Sequence, residues 1–142
     1  MASYRQQIVT AIKALLGNVA GVTTVSVWRT GEFEASELPN LNLKDDSASR
    51  TKSPYRKWDN ELTVTIECNV DASTTGNEQA AIDARELANK TNAAIFADAS
   101  LGGLVDDLIP VSEDLAVDKN EDTAATFNME YEIKYQTDRG TI

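Results

Sequence analysis

Two stretches of this chain alternate apolar and polar residues so regularly that they constrain everything around them. In residues 61–70, Leu62, Val64, Ile66, Cys68 and Val70 point one way, and Glu61, Thr63, Thr65, Glu67 and Asn69 the other. In residues 126–136, Phe127, Met129, Tyr131, Ile133 and Tyr135 share a side, opposite Thr126, Asn128, Glu130, Glu132, Lys134 and Gln136. A period of two is that of a pleated strand with one face in a core and one toward solvent. The chain must therefore build a sheet with one apolar face and find something to cover that face.

Two helical patterns supply the cover. Tyr4, Ile8, Ile12, Leu15 and Val19 recur at helical spacing, with Ala11 and Leu16 widening the stripe. Ser3 and Gln6 fit a capping box, which places a first helix over about 3–17. Thr75-Gly76-Asn77-Glu78 fits a second one. Behind it, Ala80, Ala84, Leu87, Ala88, Thr91, Ala94 and Ile95 form a stripe of mostly small residues, suited to a helix lying close on a sheet and running to about Asp98. Gly102-Gly103 then ends the helix or makes a tight turn, because it lacks the Lys-Ser/Thr of a phosphate-binding loop.

Further strands are predicted over Val22–Arg29, Leu38–Leu43 and Ile109–Val117, the last joined to the final strand by a polar turn at Lys119–Asp122. Asp138–Ile142 reads as a frayed tail. The expected fold is α+β: one domain over residues 1–142, a mainly antiparallel or mixed sheet of about five strands, two main helices, and the order α-β-β-β-α-β-β. Two helices cannot cover both faces of such a sheet, so one face is expected to stay partly free and to suit a neighbour.

Between Lys44 and Asn60 the regular pattern stops. This segment reads as a long polar, basic loop or an extended hairpin. It holds Lys44, Arg50, Lys52, Arg56 and Lys57, five of the 13 basic residues, interrupted by Tyr55 and Trp58. The charge is skewed along the chain. Residues 1–60 carry eight basic and six acidic side chains, whereas residues 61–142 carry five and 17. That asymmetry is either a solvated acidic surface or a self-complementary pair of patches, in which a basic loop on one subunit meets an acidic face on the next. Tyr, Trp and Arg are enriched at protein interfaces. Arg50, Lys52, Tyr55, Arg56, Lys57 and Trp58 are accordingly the candidate subunit or partner interface. Trp28, opposite Val25 and Val27 in the alternation, is either a half-buried edge residue or a second exposed contact.

The same inventory argues against chemistry. The chain has no histidine, which removes Ser-His and Cys-His nucleophiles, histidine bases and His-ligated zinc. A lone Cys68 on an apolar strand face excludes an internal disulfide and a CxxC site, and reads as a buried, inert thiol. The acidic groups Asp106-Asp107, Glu113-Asp114 and Asp118 with Glu121-Asp122 lack calcium-loop spacing and read as exposed turns. No metal, cofactor or catalytic residue is expected. No apolar run approaches the roughly 20 residues of a membrane span, and the N-terminus lacks an apolar signal region, so a soluble protein of the cytosol is the expectation. A net charge of −10 disfavours a nucleic-acid-gripping role.

In order and spacing the segments resemble the tail terminator, or tail completion, proteins of long-tailed bacteriophages and related phage-tail-like particles. The likeness covers nearly the whole chain. It runs through the opening Tyr4-Arg5-Gln6-Gln7-Ile8, Val27-Trp28-Arg29, and Glu37-Leu38-Pro39-Asn40-Leu41. It continues in Leu62–Glu67, Leu101-Gly102-Gly103-Leu104-Val105-Asp106-Asp107 and the closing Phe127–Thr137. No single segment is diagnostic, since these proteins have no catalytic signature.

The resemblance implies a structural protein of the virion, assembled in the bacterial cytoplasm. It implies a hexameric ring on the head-proximal end of the tail tube, which stops tube growth and offers a surface to head completion or neck proteins, and in contractile tails to the sheath. DNA would pass through the ring lumen without specific binding, which an acidic lining suits. A neck or head completion protein, a tail tube subunit, an acid-residue hydrolase or nuclease, and a small binding module are the competing readings.

Overall fold

A computed structural model of the chain describes residues 3–30, 35–72, 76–117 and 124–138. The elements follow the expected order, with a short 3-10 turn at Ala35–Glu37. They are α1 (Tyr4–Leu16), β1 (Thr24–Val27), β2 (Asn40–Ser53), β3 (Lys57–Asp71), α2 (Asn77–Phe96), β4 (Asp107–Val117) and β5 (Ala124–Asp138). The five strands form one mixed sheet in the order β1-β2-β3-β5-β4. Only β1 and β2 run parallel; the other three pairings are antiparallel.

The alternation of β3 and β5 decides the layering. Val64 lies opposite Tyr131, Ile66 opposite Met129 and Leu62 opposite Ile133, so their apolar sides form one continuous face. Leu41 and Leu43 of β2 extend it opposite Cys68 and Ile66. α1 lays Ile8, Ile12 and Leu16 over it, and α2 adds Ala80, Ala84, Leu87, Ala88 and Ile95. All of these are buried. Removing a branched aliphatic side chain from such a site costs about 2–5 kcal/mol. The alanines give α2 a flat underside against the sheet.

Ser3 caps α1, its Oγ accepting from Gln6 N–H at 3.1 Å. The reciprocal half of the box is not made, because the Gln6 amide donates instead to Thr10 Oγ1. At α2 the cap position is Gly76, with φ +80° and no side-chain cap bond. Thr75, the polar turn at Lys119–Asp122 with Asp118, and the tail beyond Asp138 lie outside the described residues; Asp138 itself is in β5. Leu101, Gly102 and Gly103 all have positive φ and turn the chain from α2 into β4.

Of the two readings of residues 44–60, the extended hairpin is the one observed and the loop is not: they are the distal halves of β2 and β3, turning at residues 54–56. A register shift between Asp45 and Ser47 breaks the alternation of β2, and beyond it residues 47–52 of β2 are exposed on both faces, although Leu62 and Asn60 opposite them on β3 are buried. The apolar pattern that marks a half-buried strand is therefore missing there. In β4, a second shift between Pro110 and Ser112 changes the parity. Leu108, Leu115 and Val117 lie on the helix side, while Ile109 faces the other way and Val111 is exposed.

The second face of the sheet is polar. A row of hydrogen bonds crosses four strands: Asn40 Nδ2 donates to Thr24 Oγ1 at 2.6 Å, Asn69 Nδ2 to Asn40 Oδ1 at 3.4 Å, and Thr126 Oγ1 to Asn69 Oδ1 at 2.6 Å. Asn40 and Asn69 are buried there with their polar groups partnered, as buried amides must be to avoid a desolvation cost. Asn42 accepts from Arg29 N–H and donates to Arg29 C=O, mimicking one more strand pairing beside β1.

Candidate assembly surface

β2, β3 and β5 continue together past the helices. The last pairs are Ser53 with Lys57 and Lys57 with Asp138. The result is a three-stranded extension rather than a free hairpin, and its tip is Pro54-Tyr55-Arg56. At about 3.3 Å per residue, the tip reaches roughly 17 Å beyond Asn60.

The base of the extension is fixed by α1. The Tyr4 ring stacks on the Tyr135 ring with centroids 5.3 Å apart and planes 8° from parallel. Tyr4 Oη donates to Leu104 C=O. Arg5 Nε donates to Asp45 Oδ2 at 2.6 Å, and its Nη2 to Asp45 C=O at 2.9 Å. Trp28 Nε1–H donates to the other carboxylate oxygen at 2.6 Å. Partial burial works to raise the Asp45 pKa; the hydrogen bonds from Trp28 and Arg5, with the guanidinium charge, outweigh it and hold the carboxyl below its usual range. Trp28 has φ +57°, which ends β1 and turns the indole toward Asp45; its ring stays half exposed.

The six candidate interface residues all lie on this extension, but not on one surface. Cross-strand partners share a face, so Arg50 and Lys52 lie on the helix side with Asn60 and Trp58. Lys57 lies on the open side, 3.8 Å from the Asp138 carboxylate. Tyr55 and Arg56 form the tip, both with positive φ, and Tyr55 is 92% exposed. Lys44, the fifth basic residue of the segment, is paired with Glu67 at 2.7 Å on the open face.

Carboxylates dominate the open side. Glu61 faces Lys134 across β5, 3.9 Å away, and Asp107 of β4 flanks Lys134 on its other side. Asp59 accepts from Gln136 Nε2 at 2.8 Å, and Glu130 from Ser112 Oγ at 2.9 Å. Glu132 lies diagonal to Glu61. A hydrogen bond shared with Glu61, together with the charge of Glu61, raises the Glu132 pKa. Sequence reading marks Asp107 only as part of an exposed turn, whereas it begins β4, and Glu61, Asp107 and Glu132 meet only through strand register.

A cleft of about 440 Å³ between α2 and the β4–β5 edge is lined by Ala88, Asn92, Pro110, Phe127, Met129 and Tyr131, with Arg85 and Glu113 also on its wall. Tyr131 Oη donates to Asn92 Oδ1 there. Burial drives the Cys68 thiol up to about 12 against a weaker opposing hydrogen bond with Thr91, so no thiolate forms near neutrality. Among the described residues, no three His, Cys, Asp or Glu side chains converge as a metal site. No helix among them is long and apolar enough to cross a membrane.

No family model matches the chain. No curated protein matches it either. Among solved structures, a chain from the virion of a native gene transfer agent (GTA) particle is similar, with a TM-score of 0.49 and 10% identity, over 95% of this chain and 92% of that one.

Proposed function

We propose that this chain is a structural subunit of a phage-type tail, forming a ring that caps the head-proximal end of the tail tube. The observation that carries the reading is the three-stranded extension with its solvated tip, on a sheet whose second face is polar and open. An isolated monomer gains little by ordering the distal strands, since their open side and nearly all of distal β2 are exposed and bury little apolar area. A subunit that must reach a neighbour gains more.

The resemblance of the ordered sequence segments to tail terminator proteins supplies the finer role. Capping needs no bond made or broken. One ring face matches the tube end, and the other fails to recruit a further tube subunit while still accepting head completion or neck proteins, and the sheath where there is one. With a net charge of −10 per chain, a ring lumen lined by part of this acidity would let DNA pass without adhering.

Purified protein mixed with polymerising tail tube protein from the same source, and imaged by electron microscopy, tests the role. The expected result is tubes that stop growing and carry one extra ring at one end. Tubes of unchanged length without a ring would overturn it and leave a neck protein as the better reading.

A further inference from the structure

The extension has two unlike faces at the same height along β3. On the helix side, Arg50 lies opposite Asn60 and Lys52 opposite Trp58. Both cations are exposed, and so is Arg56 at the tip. Among the described residues, no carboxylate lies within ion-pair distance of any of the three. On the opposite side, Asp59 and Glu61 flank Asn60 along the same strand, with Glu132 diagonal to Glu61. Among the described residues, two cations lie near these carboxylates on this side: Lys134, 3.9 Å from Glu61, and Lys57, two residues along β3 from Asp59 and paired with Asp138. Arg50 and Lys52 cannot relieve this side within one molecule, since the sheet stands between.

We infer that a second copy of this chain covers the carboxylate face: Arg50, Lys52 and Arg56 of one copy dock on Asp59, Glu61 and Glu132 of the next. The contact joins two different patches, so it is head-to-tail and its repetition closes a ring only if each step adds a suitable rotation. Charge complementarity favours this occupant: Arg50 and Lys52 lie level with Asn60 and Trp58, beside Asp59 and Glu61 on the other face, while Arg56 lies toward the tip and Glu132, opposite Thr63, toward the core, so a docking copy is displaced along the strands as well as across the sheet. The crowding of Glu61 and Glu132 is relieved by an incoming guanidinium. Closure into a ring rests on the function proposed above; the pairwise contact does not.

Charge reversal tests the contact in the intact chain. Sedimentation velocity at low ionic strength would compare the wild type, Arg50→Glu/Lys52→Glu, Glu61→Lys/Glu132→Lys, and a chain carrying all four changes. Thermal unfolding of each variant serves as the folding control. The expected result is association of the wild type that weakens as salt is added, loss of the associated species in either paired variant alone, and its recovery in the fourfold variant. An equal mixture of the two paired variants should also recover it.

A wild type that stays monomeric at millimolar concentration in low salt overturns the inference. So does association that either paired reversal leaves unchanged, or that the fourfold change fails to restore. The tube-capping assay separates the two proposals. Association that follows the charge swap without arresting tubes removes the terminator role alone. Tubes capped equally well by the reversed variants remove this contact alone.

Discussion

The ring of Tyr4, in the first turn of α1, lies flat on the ring of Tyr135 near the end of β5, 131 residues away in sequence, with centroids 5.3 Å apart. This pair clamps the start of the chain to the base of the projecting strands. An aromatic pair contributes about 0.5–1.5 kcal/mol beyond the area it buries. Tyr4→Ala also loses the hydrogen bond to Leu104 C=O, so it should cost about 2–3 kcal/mol in urea unfolding. Tyr4→Phe keeps the stack and should cost only about 1 kcal/mol. Equal losses in both variants would show that the stack contributes nothing.

Asp45 gives the fold an acid-sensitive joint. Its carboxyl titrates lower in the folded state than in the unfolded chain. Its stabilising contribution is therefore fully present above the ordinary carboxylate pKa of about 3.9 and is lost as pH falls through the lower folded value. Asp45→Asn should cost about 1 kcal/mol near neutrality, allowing for solvent screening at a partly exposed site. It should also flatten the stability curve below pH of about 4. Chemical denaturation of both proteins over that range is the measurement. Parallel curves would contradict the assignment.

Cys68 should be silent in the native protein. It is fully buried against Thr91, and its thiol is pushed up to about 12. An aromatic disulfide reagent should label it only at the rate of unfolding, and at once in denaturant. Fast labelling under native conditions would mean that α2 lifts readily from the sheet.

The tip sets stability against assembly. Tyr55 and Arg56 both occupy the left-handed region, which costs a non-glycine residue about 1 kcal/mol or more. Asn-Gly suits two consecutive positive φ values. Tyr55→Asn with Arg56→Gly should therefore raise stability by about 1–2 kcal/mol while weakening association. A variant that is both more stable and fully associating would show that the tip makes no contact.

How far the fold could be read from sequence depended on solvent. β3 from Glu61 to Val70 and β5 were legible because one face is dry and the other wet. The distal half of β2 was not, because Ser49, Thr51 and Lys52 meet water on both sides and the register shift after Asp45 resets the parity. In β4 the strand was legible but its faces were not: the shift at Pro110 puts Ile109 and Leu115 on opposite faces. The basic half of the candidate surface was visible as a local run of Arg and Lys. Its division between two faces, and the meeting of Glu61, Glu132 and Asp107, depend on pairings across β3, β5 and β4 that local composition does not encode.

β3 runs without interruption for 15 residues from beneath α2 to the tip, a length of about 50 Å. It is hydrogen-bonded on both sides along that course, to β2 and β5. Nothing in it acts as a joint. A load applied at Tyr55 is therefore delivered directly to the layer of Leu62, Val64 and Ile66, as a push on one end of a stiff rod reaches the other. Whatever grips the tip also holds the core.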